Sequence, residues 1–395
     1  MFGRASATRI IHPGIFPIHR SPSALKLLSC SGIFAGLIAI ASPAQAEIVV
    51  GLAIPASGRE QATGAALRTA AERAIAELNA AGGVLGETVK LAVVDDLCSD
   101  AGAISAANAF MRARAKLVTG HPCTKAALAA AQVYGPAGML FIATATRHPA
   151  LTDKRAGKTI FRLSGRDDQQ AVDAANWLLA QSGTGPIAII HDKTAYSRGL
   201  ATGAAAALVA KTQPPPLDFP ITAGENVYAP VIAKLKELKP RAVFFAGYPA
   251  EANIVVTALR DAGLTQPVLG SDSLATPEFT LQSAASDPAV RVLARSGQYP
   301  GSVALNLPGN LDSAKYIDTA SPPSAIGPAL QTAEAIFTWA AACARASSIE
   351  SAKISENLAT PNTGPGIIVF NEKGDARVSS FIAVQWSGKD WQSKK

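Results

Sequence analysis

The chain has 395 residues, of which 48% are hydrophobic and 16% charged, enough to bury a large core in two or three domains. Its formal net charge is +7, but Arg4, Arg9, Arg20 and Lys26 fall in the first 46 residues, which hold no acid; without those four, 32 basic residues face 29 acidic ones, a net of +3. No basic run remains, which argues against a nucleic-acid partner.

The N-terminus reads as an export signal. Basic residues precede an apolar run, Gly32–Ala41, and Ala44-Gln45-Ala46 is a small-x-small cleavage site, so cleavage is expected before Glu47. The run is too short to span a membrane as a helix. Cys30 does not fit a lipidation site, because the apolar core follows it.

Ile48–Ile54 is a first strand, apolar throughout, as expected where helices cover both faces of a sheet. Ala62–Asn79 is a helix stopped by Gly82-Gly83. Val89–Val94 is a strand that ends in Asp95-Asp96-Leu97-Cys98, and Ala101–Arg114 is a helix. Lys116–Gly120 is a strand that ends in Gly120-His121-Pro122-Cys123-Thr124 and opens the helix Lys125–Tyr134. Met139–Thr144 is a strand that ends in Ala145-Thr146-Arg147-His148-Pro149, and Thr159–Ser164 is another. Strand, polar turn and helix in alternation specify a parallel α/β sheet, with ligands expected at the carboxyl ends of the strands. The helix N-terminus at Thr124 suits an anion, and Thr124, Thr146 and Arg147 are expected to grip a carboxylate there.

The pattern restarts at Gly165. Helices are expected over Asp168–Gln181, Tyr196–Thr212, Tyr228–Leu238 and Glu251–Ala262. Strands are expected over Pro186–Ile190, Leu217–Ile221, Ala242–Ala246 and Pro267–Leu269. They end in His191-Asp192-Lys193, Gly247-Tyr248-Pro249 and Gly270-Ser271-Asp272. From Val290 the order changes: Val290–Gly297 is expected to return as a strand towards the first lobe, and Ile326–Ala346 and Ile349–Leu358 are helices. Gly366–Asn371 and Phe381–Trp386 are expected to pair as a closing antiparallel hairpin. Two α/β lobes with later crossings predict a hinged molecule with a cleft.

Each strand-end residue also has an ordinary structural explanation. Ser57, Asp96 and Asp192 can bracket turns, Tyr196 and Tyr248 can be packing residues, and His121 and His191 read as satisfied structural residues. Cys98 and Cys123 end neighbouring strands and can meet as a disulfide in an oxidising compartment; no CxxC or paired His supports zinc. Cys343 reads as a buried free thiol. There is no dinucleotide loop, phosphate loop or nucleophile elbow, so neither a catalytic constellation nor a cofactor is expected.

The chain resembles the periplasmic solute-binding proteins of ABC importers for branched-chain amino acids. The resemblance spans nearly all of Ile48–Trp391. It is carried by Leu78-Asn79-Ala80-Ala81-Gly82-Gly83, Asp95-Asp96-Leu97-Cys98, Gly120-His121-Pro122-Cys123 and Pro149-Ala150-Leu151-Thr152. His191-Asp192-Lys193 with Tyr196, Ile221-Thr222-Ala223-Gly224-Glu225, Gly247-Tyr248 and Asn371-Glu372-Lys373-Gly374-Asp375 extend it.

The resemblance implies a type I periplasmic binding protein fold, with two doubly wound parallel-sheet lobes joined by a three-segment hinge. The expected domains are the signal, 1–46; lobe 1, 47–165 and 296–372; and lobe 2, 166–295 and 373–395. It implies ligand capture and delivery to the permease, without chemistry, by a monomer in the periplasm. Cys98 and Cys123 match the family's disulfide. Thr124 matches a carboxylate-holding Ser/Thr, and Ala145 a residue whose backbone meets the amino acid. Tyr196 and Tyr248 match two cleft tyrosines, and Asp272 an acid that pairs with the ligand ammonium. Ser57 joins this expected set. Arg147 stands where the family commonly has Thr, with Thr146 one residue away, and Thr63 stands where some members present Tyr. These departures admit an aromatic acid, another carboxylic acid or a polar amino acid as the ligand. A secreted α/β enzyme and a sensor module are the readings from other classes.

Overall fold

Short apolar strands that alternate with alanine-rich helices fold into two open sheets. The structure is a computed structural model and describes residues 47–58, 60–211, 213–295, 313–316, 321, 323–360, 368–377 and 381–393. The expected export signal and Cys30 lie outside the described residues.

The first lobe begins with β1 (Glu47–Ile54), α1 (Gln61–Ala80), β2 (Thr88–Asp95), α2 (Asp100–Arg112) and β3 (Leu117–Gly120). It continues with α3 (Thr124–Tyr134), β4 (Phe141–Ala143), α4 (Ala150–Asp153) and β5 (Ile160–Arg162). The second lobe holds α5 (Asp167–Leu179), β6 (Ile187–His191), α6 (Ala195–Ala210), β7 (Leu217–Pro220), α7 (Ala229–Leu238) and β8 (Ala242–Ala246). Then come α8 (Pro249–Asp261), β9 (Val268–Gly270), α9 (Pro277–Thr280) and β10 (Val290–Arg295). The chain closes with α10 (Pro323–Ala346), α11 (Ser351–Ala359), β11 (Phe381–Trp386) and β12 (Trp391–Gln392).

The first sheet has the order β2-β1-β3-β4-β5 and is parallel throughout. The second has the order β12-β11-β10-β9-β8-β6-β7, with β11 and β12 antiparallel at one edge. Each sheet is covered on both faces, which is why its strands read as continuous apolar runs. α1, α10 and α11 bury one face of the first sheet around Trp339, and α2 and α3 bury the other around Phe110 and Tyr134. The buried alanines Ala66, Ala70 and Ala74 of α1 and Ala335 and Ala342 of α10 suit close helix packing. In the second sheet, α5 and α6 cover one face and α7 and α8 the other.

Val290–Arg295 forms β10, which pairs in parallel with β9 in the second sheet, within the stretch expected for lobe 2; residues 296 and 297 lie outside the described residues. One expectation is corrected. β11 does not pair with the segment ending at Asn371; it pairs with β10 and β12, and Phe370 makes only an isolated bridge to Ala376. Alternation along a segment reports that it is a strand but not which strand it joins. Phe370 and Ala376 lie in the first lobe's core, and Asp375 bridges to Arg162, so the chain is still packed on the first lobe at Ala376, past the turn that follows Asn371.

Candidate functional site

The ends of β1, β2, β3 and β4 form one edge of the first sheet. Asp95 ends β2 and holds the neighbouring turn: its Oδ1 accepts from the N–H of Ala56 at 3.1 Å and of Leu97 at 2.8 Å, and its Oδ2 from Ser57 at 3.4 Å. Asp96 is fully buried; it meets His121 Nδ1 at 2.8 Å, and His121 Nε2 meets the Tyr134 hydroxyl at 3.0 Å. His121 is therefore a satisfied core residue, as expected. Cys98 and Cys123 form the disulfide, with Cα atoms 5.4 Å apart, and tie the β2 and β3 loops together. At Gly120, φ is +96° and an added Cβ would lie 2.1 Å from the Ala53 carbonyl oxygen, so only glycine admits the turn.

This frame fixes the start of α3. Its N-cap, Cys123, gives no side-chain cap, so the first N–H groups of the helix stay open to an anion beside the exposed Thr124. Thr63, in the first turn of α1, donates to Glu60 at 3.2 Å. β4 lies beside β3, so Ala145, Thr146 and Arg147 follow at the adjacent strand end. Thr146 is fully buried: its carbonyl accepts from the Ser164 hydroxyl at 2.7 Å, but its own Oγ1 has no partner among the described residues.

In the second lobe, Asp192 brackets the β6–α6 turn, accepting from the Thr194 N–H at 3.0 Å and from the Ser197 hydroxyl. His191 is buried and lies 3.4 Å from Asp218. Tyr196, in the first turn of α6, and Tyr248, the N-cap of α8, have ring centroids 5.9 Å apart. Asp272 follows β9, next to β8.

The two edges meet. Arg147 of the first lobe forms an ion pair with Asp272 of the second, with the Arg147 side chain 26% and the Asp272 side chain 9% exposed. The Asp272 carboxylate also accepts from Gln170 at 2.5 Å and from the Tyr196 hydroxyl at 2.7 Å. The Arg147 guanidinium lies 5.8 Å from the Phe381 ring centroid. Burial pulls the Arg147 guanidinium down, but Asp272 and Asp167 outweigh burial and hold it charged. Burial, then Asp272, pushes the Tyr196 phenol well up, and burial, then Asp192, raises Tyr248. Both phenols therefore stay neutral donors.

The structure thus brings Arg147, Tyr196 and Asp272 into direct contact and places Tyr248 against Tyr196. Thr124, Ala145 and Thr146 stand on the facing edge. Ser57 and Thr63 make local bonds at the far side of that edge. Two residues of the cluster escape sequence reading. Gln170 lies on α5, 102 positions from its partner Asp272. Asp167 opens α5, where two successive acids look like ordinary helix-start residues. The only available signal is their place on the crossing between lobes, directly after Gly165.

The arrangement offers charge pairing and hydrogen bonding, with no nucleophile and base in contact within the cluster. Among the described residues no group of side chains could hold a metal ion, and no helix is long and apolar enough to cross a membrane. Cys343 is buried and free, its thiol pushed up to about 12 by burial.

The chain has relatives among known proteins. The family model described as "Periplasmic binding protein" matches residues 47–385. The Leu/Ile/Val-binding protein homolog 1 of Brucella suis biovar 1 (strain 1330) is 31% identical over 368 residues, which cover 91% of this chain and 96% of that one. The fold is similar to that of a branched-chain amino acid transporter substrate-binding protein from Streptococcus pneumoniae, solved with isoleucine (TM-score 0.65, 21% identity, 89% of this chain and 100% of that one). It is also similar to a leucine-binding protein from Thermotoga maritima (TM-score 0.63, 20% identity, 88% of this chain and 98% of that one). By their names these relatives are solute-binding proteins. The chain belongs to the periplasmic binding protein family, among the substrate-binding proteins of branched-chain amino acid ABC transporters.

Proposed function

We propose that the mature chain works in the periplasm as the substrate-binding component of an ABC importer. It captures a branched-chain or related amino acid between its lobes and delivers it to the permease. The observation that carries this reading is the contact of Arg147 with Asp272, which joins loop tips of two separate sheets across one cleft. The relative solved with isoleucine supports the choice of an amino acid. On the first lobe, the uncapped start of α3 and Thr124 serve the ligand carboxylate, while Tyr196 and Tyr248 close over it from the second lobe. Closing of the lobes then commits the ligand.

One observation favours a second reading, a carboxylic acid without an amino group: Asp272 already has a cation, Arg147. A mass spectrum of the small molecule that co-purifies, followed by calorimetry with the twenty standard L-amino acids, tests the first reading. The expected result is one or a few aliphatic amino acids bound in a 1:1 ratio. Binding of no amino acid, with a deaminated acid recovered instead, would transfer the function to the second reading.

A further inference from the structure

Asp272 and Asp167 share one cleft but differ in what they still need. Both oxygens of Asp272 are engaged: Oδ2 accepts from Arg147, and Oδ1 from both Gln170 and Tyr196. A ligand cation would have to displace a guanidinium to reach it. Asp167 is the first residue of α5, on the segment that leaves β5 for the second lobe, and its N–H donates to the Arg147 carbonyl at 3.3 Å. Its Oδ1 is buried and accepts from nothing among the described residues. Arg147, Arg162, Asp168 and Asp272 are the charged groups around it, and Tyr196 and Tyr248 lie within its field. Burial of a carboxylate oxygen without a donor costs free energy, and a cation placed against it recovers that cost. The helix dipole accounts for an acid at the first position of α5 but not for a buried, unpartnered oxygen there. The Thr146 hydroxyl, fully buried and also unpartnered, stands one residue before Arg147, beside the same junction.

We propose that Asp167, rather than Asp272, receives the ammonium group of the ligand, with the Thr146 hydroxyl as its neutral neighbour, and that the Arg147–Asp272 pair stays intact in the loaded protein as a strut between the lobes. This rests on the reading that the ligand is an amino acid. The strut keeps the second lobe docked, and the free carboxylate selects for an α-amino group. Burial raises the Asp167 carboxyl above the usual carboxylate range, which fits a group whose counter-ion arrives with the ligand.

The test is calorimetry on the full mature protein. The probes are the tightest of the twenty standard L-amino acids and the same acid without its amino group; for leucine the second is 4-methylpentanoate. Wild type is expected to prefer the amino acid. Asp167→Asn is expected to lose about 100-fold in affinity for the amino acid and to bind the deaminated acid within about 3-fold of wild type, because only the former leaves a buried ammonium unpaired. Ligand-free Asp167→Asn should melt no lower than wild type, since burial outweighs the attraction of Arg147 and already disfavours the charged carboxyl; Asp167→Ser serves as a second variant. A purely structural role would lower the melting point and weaken both ligands alike, and that result overturns the proposal. So does an unchanged affinity of Asp167→Asn for the amino acid, with the amino-acid reading left standing. If wild type prefers the deaminated acid, both the proposal and the amino-acid reading fall.

Discussion

Two polar clusters lie where the lobes join, and they are built on opposite terms. At the hinge, Arg162 is fully buried and all three of its nitrogens donate: Nε and Nη2 to Asp375 at 2.8 and 2.5 Å, Nη1 to the His148 carbonyl at 2.7 Å, and Nη2 also to Thr152 at 2.5 Å. Arg166 extends the lattice to Asp153, Asp168 and Asp375, and Lys373 reaches Asp153 at 2.7 Å. At the cleft, Arg147 and Asp272 are paired, but Asp167 Oδ1 and Thr146 Oγ1 have no partners among the described residues. A satisfied buried network fixes one geometry, and an unsatisfied one waits for a group to complete it. The network around Arg162 is thus complete in the protein alone, and the one at the cleft is not.

The largest effect that could break this contrast is at the hinge. Asp375→Asn leaves the Arg162 guanidinium buried without its counter-ion and should destabilise by about 3–5 kcal/mol. Adding Arg162→Met removes the stranded charge and should recover much of that loss. Urea unfolding measures both. A loss below about 1 kcal/mol in the single variant would mean that the hinge does not depend on this pair.

A smaller effect is expected at the cleft. Arg147→Met leaves Asp272 with its Gln170 and Tyr196 donors, and the Arg147 side chain is partly exposed, so the ligand-free protein should lose only about 1–2 kcal/mol. Small-angle scattering should show that this variant is more open without ligand than wild type. An unchanged scattering profile would deny Arg147 its bridging role.

Local order was legible in the sequence because it depends on period: apolar runs mark the strands, helical spacing marks α1 and α10, and polar residues mark the strand ends. Arg147, Tyr196 and Asp272 emerge together because they occupy equivalent ends of strands in two repeats of one pattern. The hinge was not legible. Arg162 and Asp375 are 213 positions apart, and an arginine inside an apolar strand gives no hint of its partner. The partner of the closing strand is hidden for the same reason: β11 finds β10 across a long intervening stretch. Asp167 does not stand out in the sequence because its position imitates a helix-start acid; its unpartnered oxygen is visible only in the fold.

The smallest expected effect is also the sharpest, because the two clusters should titrate in opposite senses. Hydrogen bonds from Arg166, and for Asp153 also from Lys373, hold the Asp153 and Asp168 carboxyls below the usual range. Their folded pKa values are depressed, so the stability they add is present above about pH 4 and is lost as pH falls through the lower folded values. Asp167 is raised by burial, so the folded state binds its proton more readily than the unfolded state does. Its charged form therefore costs stability above its raised pKa, and that cost disappears as pH falls. Urea midpoints from pH 7 to pH 3 should separate the two. The Asp168→Asn variant should lose less stability than wild type as the solution is acidified, because part of the acid-sensitive network is already gone. The Asp167→Asn variant should start at or above wild type near pH 7 and converge with it at low pH. If the two variants instead move in parallel, both carboxylates are screened by solvent alike, and the division between a completed hinge and an incomplete cleft loses its electrostatic basis.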